Sequence, residues 1–214
     1  MVAKTRPAHG QRHDDKKGLQ PTRQSALLVV DIQNDFCPGG ALAVPGADQI
    51  IPLVNDYIGL FHRQGLPVIA GRDWHPLGHC SFKEQGGPWP IHCVQGSWGG
   101  QFHPALRLPP GCTIISKATN VAREAYSPFQ DTPLADRLRE LGVTTIFIAG
   151  LATDYCVKNA VLDARTLGLR AIVLADAVRG IDATPGDTDR ALQEMQEAGA
   201  VMAVARDIGL VPSP

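Results

Sequence analysis

The sequence contains no long hydrophobic run and no excess of charge of either sign. No apolar stretch approaches the roughly 18 residues of a membrane span. The early apolar run 26–30 ends at Asp31, which makes it too short for the core of a signal peptide. We therefore expect a cytoplasmic protein with no membrane partner. The formal net charge of −1 also argues against a general nucleic-acid-binding role.

Cysteine is scarce as well, with five residues and no CxxC pair. An odd number of cysteines in a chain without a secretion signal does not indicate a disulfide framework. We expect several buried, structural cysteines and one reactive thiol.

The chain length of 214 residues predicts a single domain. Residues 1–24 differ from the rest, because they carry six Lys or Arg against two Asp and only five apolar residues. Such a segment buries too little surface to offset its ordering entropy. We predict a disordered basic tail over 1–24 and one folded domain over 25–214. Binding of an anionic partner by the tail is the weaker alternative.

Short runs rich in Val and Ile alternate with helical patterns along the rest of the chain. Runs that are apolar on both alternating faces suit strands of a parallel sheet covered on both sides. Glycines mark the ends of the predicted helices. The pattern predicts an α/β fold with three α/β/α layers around a doubly wound, mainly parallel sheet of about six strands. The predicted strands are 26–31, 67–71, 112–117, 144–150, 170–176 and 200–205, and the helices are 47–64, 132–141, 154–168 and 187–198.

Cys156 lies just after the fourth predicted strand, where a helix should begin. Thr153 or Asp154 is a candidate N-cap, which would place Cys156 in the first helical turn. The partial positive charge there favours a thiolate, and a nearby cation such as Lys117 would lower the thiol pKa further. A buried structural cysteine is the alternative.

Asp31 and Lys117 also follow strands, at the edge where ligands bind in open α/β sheets. Asp31 could take the thiol proton and pass it to a leaving group. Lys117 could hold the other two groups in their charged forms. An N-cap or salt-bridge role for Asp31 and a surface role for Lys117 are the alternatives.

A second set of polar side chains follows the second strand. Asp73 and His75 share one side of an extended segment, His79 can return through a turn, and His92 lies farther along the chain. Mixed oxygen and nitrogen ligands with open positions suit Zn²⁺, Fe²⁺ or Mn²⁺ rather than Ca²⁺.

Four stretches together resemble one known family. They are VDIQNDF at 30–36, DWHP at 73–76, PIHCVQG at 90–96 and GLATDYCV at 150–157. In this order and spacing they resemble the nicotinamidase/pyrazinamidase branch of the isochorismatase-like cysteine hydrolases, over about residues 26–205.

The resemblance implies a reaction and a set of site residues. Nicotinamide would be hydrolysed to nicotinic acid and ammonia through a thioester, as a step of NAD salvage. Pyrazinamide would be another substrate, and one divalent metal ion (Zn, Fe or Mn) would be the cofactor.

The implied catalytic residues are Asp31, Lys117 and Cys156, with an oxyanion hole from the amides of Ala152 and Cys156 and a cis peptide between Leu151 and Ala152. The implied metal ligands are Asp73, His75, His79 and His92. The implied substrate contacts are Phe36, Trp89 and Tyr126 around a flat ring, with Leu151 beside it and Gln33 on the substrate or a metal-bound water.

Other functions remain open at this point. A relative in the same superfamily could act on another small amide or on isochorismate, although the Asp-x-His set favours a nicotinamidase. A nucleotide-binding module is disfavoured because the phosphate-binding patterns GxGxxG and GxxxxGK[ST] are absent. A non-catalytic relative would have to keep the acid, lysine and cysteine without using them. A homo-oligomer is compatible with the sequence.

Overall fold

The computed structural model describes residues 18–213, and these residues form one six-stranded sheet with helices on both faces. The strands are β1 (Ser25–Val30), β2 (Val68–Asp73), β3 (Thr113–Lys117), β4 (Thr145–Leu151), β5 (Arg170–Arg179) and β6 (Val201–Ala203). The α-helices of this part are α1 (Ile51–Arg63), α2 (Leu134–Glu140), α3 (Lys158–Thr166) and α4 (Asp187–Glu197).

The sheet is parallel throughout, with strand order β3-β2-β1-β4-β5-β6. The chain builds outward from β1 in one direction and then from β4 in the other, so the order reverses between these two central strands. The predicted three-layer, doubly wound fold is confirmed. In such sheets a crevice opens where the order reverses, beyond the carboxyl ends of the strands.

Alternating side chains of β1 enter two separate hydrophobic cores. Leu27 and Val29 pack on one face with α1, which contributes Val54, Tyr57 and Phe61. Ala26, Leu28 and Val30 pack on the other face with α2, α3 and α4. Because both faces are covered, β1 is apolar from Ala26 to Val30, as the sequence indicated.

A close approach of the two central strands requires glycine at position 150. Gly150 pairs with Val30 and has φ +119°, and a Cβ there would lie 2.1 Å from the Val30 carbonyl oxygen. Only a residue without a side chain fits this position. The contact brings the end of β1, which precedes Asp31, beside the end of β4, which precedes Ala152.

The segment after β4 differs from the prediction. Residues Thr153–Val157 form a π-turn before α3 begins, because the Ala152 carbonyl accepts hydrogen bonds from both Tyr155 and Val157 amides. Neither predicted N-cap acts as one: Asp154 instead accepts hydrogen bonds from the amides of Ile181 and Asp182. The N-cap prediction for Thr153 or Asp154 was therefore wrong.

The packed chain begins before the predicted boundary at residue 25. Leu19 is buried in the core with α1, and the Gln24 carbonyl accepts hydrogen bonds from the amides of Thr144 and Thr145. Residues 18–24 therefore belong to the domain, while the rest of the predicted tail, 1–17, lies outside the described residues. None of the helices in the described part is long and apolar enough to cross a membrane. The cellular location and the oligomeric state stay predictions.

Candidate active site

Asp31, Lys117 and Cys156 meet at the carboxyl edge of the sheet. Lys117 Nζ lies 3.0 Å from Asp31 Oδ2 and 3.3 Å from Cys156 Sγ. All three residues are buried. Three strand ends that are far apart in sequence thus bring together an acid, a cation and a thiol, as predicted.

A second carboxylate shares the lysine. Lys117 Nζ also contacts Asp73 Oδ1, so one buried cation lies between Asp31 and Asp73. Burial would lower the pKa of Lys117, but the two carboxylates raise this pKa well above its usual range. Burial opposes ionisation of Asp73 too, yet Lys117, His75 and His92 keep the pKa of Asp73 below its usual value. This arrangement therefore favours the cationic form of Lys117 and the carboxylate form of Asp73.

Asp31 is poised to exchange a proton near neutral pH. Burial raises the pKa of Asp31 from 3.8 to about 6, against the opposing attraction of Lys117. A general base is most effective when its pKa lies near the working pH. Asp31 can therefore accept a proton at pH 7 and later release it.

The structure corrects the predicted thiolate at Cys156. Burial raises the pKa of this thiol well above its usual range, and Asp31 and Asp73 add to the effect while Lys117 opposes it. Desolvation and two buried carboxylates thus outweigh the attraction of Lys117. The resting group is a thiol, so a base must remove its proton before it attacks.

Three of the four predicted metal ligands converge. Ligand atoms of Asp73, His75 and His92 all lie within 4.8 Å of one another, and His92 Nε2 lies 3.8 Å from Asp73 Oδ2. Burial lowers the pKa of His92, which favours the neutral imidazole that metals bind. One carboxylate and two imidazoles suit a borderline divalent cation.

The histidine rings are oriented by backbone carbonyls. His75 Nδ1 lies 3.2 Å from the carbonyl oxygen of His92, and His92 Nδ1 lies 2.8 Å from that of Pro90. A proton on each Nδ1 leaves the Nε2 lone pair free to bind an ion. Metal-binding histidines are commonly held this way, so these residues fit a divalent cation.

His79 falls into a second, overlapping group. Its ligand atoms cluster with those of His75 and Glu124 within 4.8 Å. His79 Nε2 lies 3.0 Å from the Arg123 carbonyl oxygen, so its placement differs from the single four-ligand set that the sequence predicted. Glu124 was not predicted as a site residue, and folding places its carboxylate 4.0 Å from His75 Nε2.

A narrow cavity leads to Cys156, and the predicted aromatic side chains form part of its wall. Trp89 Nε1 donates a hydrogen bond to the Tyr126 hydroxyl at 3.0 Å, and the Trp89 ring meets that of Tyr155 edge-on, with centroids 4.9 Å apart. The lining residues are Phe36, Leu42, Asp73, Trp89, Glu124, Tyr126, Ala152, Tyr155, Cys156 and Ile181. Leu42, Tyr155 and Ile181 were not predicted, because nothing in their local sequence marks them as wall residues.

Two predicted substrate contacts do not line this cavity. The Gln33 side chain is fully buried and bonds the backbone of Asp73 and Gly100. Leu151 is fully buried in the hydrophobic core. These two predictions need correction, because tertiary hydrogen bonding and packing turn both side chains away from the cavity.

Backbone conformation is unusual at three points of the site. Asp31, Cys93 and Ala118 have φ between +46° and +53°, a region that residues other than glycine rarely adopt. Asp31 is the acid itself, Cys93 follows His92, and Ala118 follows Lys117. Such strain tends to cluster at functional sites. The predicted cis peptide between Leu151 and Ala152 is present.

Comparison with models of known protein families gives a match over most of the chain. A model of the isochorismatase domain matches residues 25–207, which span all six strands and all of the predicted site residues. The chain belongs to the isochorismatase family.

Within the isochorismatase family the similar proteins point to one branch. The nicotinamidase of Escherichia coli is 41% identical over 85% of this chain and 95% of that protein. The nicotinamidase/pyrazinamidase of Mycobacterium tuberculosis is 38% identical over 81% and 95%. The crystal structure of the Pyrococcus horikoshii pyrazinamidase in complex with zinc has a TM-score of 0.81 and 50% identity, over 85% of this chain and 99% of that one. The resemblance found in the sequence is confirmed.

Proposed function

We propose that this protein hydrolyses nicotinamide to nicotinic acid and ammonia, and also accepts pyrazinamide, as a step of pyridine nucleotide salvage. The observation that carries the proposal is the buried thiol of Cys156, in contact with Lys117 and close to Asp31, at the base of an aromatic-walled cavity. A flat aromatic amide suits such a cavity, and the similar nicotinamidases support this substrate.

The first half of the reaction forms a thioester. Asp31 takes the proton from the Cys156 thiol, and the sulfur attacks the carboxamide carbon. We assign the developing oxyanion to the backbone amides of Ala152 and Cys156. Asp31 then gives its proton to the amide nitrogen, the carbon–nitrogen bond breaks, and ammonia leaves. The positive charge of Lys117 stabilises the negative charges of the Asp31 carboxylate and of the thiolate.

The second half releases the acid. Asp31, again a carboxylate, takes a proton from a water molecule as the water oxygen attacks the thioester carbon. The carbon–sulfur bond breaks, and the Cys156 sulfur recovers a proton from Asp31. A single carboxyl group thus acts as base and acid twice, which a pKa of about 6 permits.

Asp73, His75 and His92 would hold one divalent cation, either Zn²⁺, Fe²⁺ or Mn²⁺, with His79 and Glu124 beside it. When bound, this ion supplies a Lewis acid that orients the substrate ring and polarises water. Asp73 also contacts Lys117, which links the ion-binding residues to the catalytic cluster.

Release of ammonia from nicotinamide by the purified protein tests the proposal. We expect turnover of nicotinamide and pyrazinamide, loss of turnover after metal removal by a chelator, and its recovery on adding back zinc, iron or manganese. Isochorismate and other small amides serve as comparison substrates. A folded, metal-loaded protein that hydrolyses one of these but not nicotinamide would contradict the proposal.

The raised pKa of Asp31 predicts the acidic limb of the pH profile. Only the carboxylate accepts a proton, so kcat/KM should be level above the pKa and fall about tenfold per unit below about pH 6. Initial rates across pH, with metal occupancy measured at each point, provide the test. A limb near pH 4, the ordinary range of an aspartate, would show that Asp31 is not perturbed in this way.

A further inference from the structure

The segment after β1 contains a buried glutamine that holds a metal-ligand residue by its backbone. Gln33 Nε2 donates to the Asp73 carbonyl at 2.8 Å, and the Asp73 amide donates back to Gln33 Oε1 at 2.8 Å. Gln33 Nε2 also donates to the Gly100 carbonyl at 2.9 Å. Both amide protons of the Gln33 side chain and one of the two lone pairs on its oxygen thus bond to backbone groups. Gln33 is fully buried.

Asp35 holds the backbone of the segment that carries the second proposed ligand, His92. Its Oδ2 accepts a hydrogen bond from the Cys93 amide at 2.7 Å, and its Oδ1 accepts one from the Ala41 amide at 3.1 Å. Cys93 directly follows His92 and has φ +46°, so this bond fixes an unfavourable backbone conformation next to a ligand. A Cβ at Gly99 would lie 1.9 Å from Asp35 Oδ2, so Gly99 leaves room for the buried carboxylate.

The two proposed ligands, Asp73 and His92, lie on different parts of the chain, and residues of the segment after β1 hold the backbone of both parts. Asp73 ends β2, whereas His92 belongs to the long connection between β2 and β3. Asp31, Gln33 and Asp35 lie within one short stretch, so the acid and both supporting residues belong to the same segment. Groups that orient metal ligands commonly affect metal affinity by about 10–100-fold.

We propose that Gln33 and Asp35 are positioning residues that set the geometry of Asp73 and His92 for metal binding. They also fix the position of these two ligands relative to Asp31. This inference rests on the metal site of the proposed function. It assigns neither residue a contact with substrate.

Metal affinity in the absence of substrate tests the proposal. The variants are Gln33→Met, which keeps the side-chain length without its hydrogen bonds, and Asp35→Asn, which keeps the shape. The matched control is Asn55→Leu, because Asn55 makes a similar clamp on the backbone of Ala105 and Arg107 outside the candidate site. We expect both test variants to bind Zn²⁺ about 10–100-fold more weakly than the parent in competition with a chelator. Asn55→Leu should bind like the parent.

The absorption spectrum of bound Co²⁺ separates positioning from a change in charge or stability. Misplaced ligands alter the coordination geometry and hence the spectrum, whereas loss of charge or of folding stability alone leaves the spectrum of the bound ion unchanged. A folded variant with parental zinc affinity and cobalt spectrum would overturn the role of that residue. If neither test variant folds while Asn55→Leu does, both residues serve folding and the proposal fails.

These results are independent of the substrate. A parent that binds zinc but does not release ammonia from nicotinamide would refute the proposed function and leave the positioning roles intact. A parent that binds no zinc, iron or manganese while hydrolysing nicotinamide would refute the positioning roles and the metal dependence, and would leave the substrate assignment intact.

Discussion

Replacing Cys156 with alanine should lower kcat for nicotinamide by at least about 10⁴-fold, the scale seen when a catalytic nucleophile is removed. The reason is that the thiol sulfur forms the bond to the carboxamide carbon, and the buried neighbours Asp31 and Lys117 offer no second nucleophile of similar strength. Ammonia release under saturating nicotinamide measures the effect. Zinc binding should persist, because Cys156 is not one of the proposed ligands.

Cys112→Ser is the matched control for this experiment. Cys112 is a partly buried free cysteine just before β3, at the opposite, amino edge of the sheet. Its replacement should leave kcat close to that of the parent. If Cys156→Ala retained a tenth of the parent activity, the thioester mechanism would have to be abandoned, even if nicotinamide remained the substrate.

Replacing Lys117 with methionine should impair both folding and catalysis. Lys117 is the buried cation between Asp31 and Asp73, and removing one partner of a buried ion pair typically costs about 3–5 kcal/mol. Without Lys117 the pKa of Asp31 should rise further, because its attraction opposes the effect of burial. Asp31 would then be protonated at neutral pH, and kcat/KM should fall by about 100-fold or more.

Urea denaturation and initial rates measure the two effects, with Lys158→Met as control. Lys158 Nζ lies 3.0 Å from Glu194 Oε2, and both side chains are partly exposed. Because surface ion pairs contribute little, this control should change the free energy of unfolding by less than about 1 kcal/mol. Equal stability losses in the two variants, or full activity in Lys117→Met, would contradict the assigned role of Lys117.

The fold was predictable because its main signals are local. Apolar residues on both faces of a short run, as in β1, indicate a strand covered on both sides, and the alternation of such runs with helical patterns indicates parallel crossovers. The same logic places whatever follows each strand at one edge, which is how Asp31, Lys117 and Cys156 could be grouped before their distances were known.

The properties of those residues were less accessible to the sequence. The local pattern around Cys156 suggested a lowered thiol pKa, but burial and two carboxylates raise it. His79 looked equivalent to the other histidines, yet its Nε2 lies against the Arg123 carbonyl. In both cases the decisive neighbours are distant in sequence, so no local motif contains them.

The sequence by itself determined the α/β fold and the family, and it singled out the candidate acid, lysine, thiol and metal ligands. These follow from hydrophobic periodicity and from short motifs, which are local properties of the chain. The tertiary structure alone decided the direction in which the pKa of Cys156 shifts, the division of the histidines into two groups, and the hydrogen bonding of Gln33 to the backbone of Asp73. These depend on burial and on contacts between distant segments, since electrostatic and hydrogen-bonding energies are set by what surrounds a group in space.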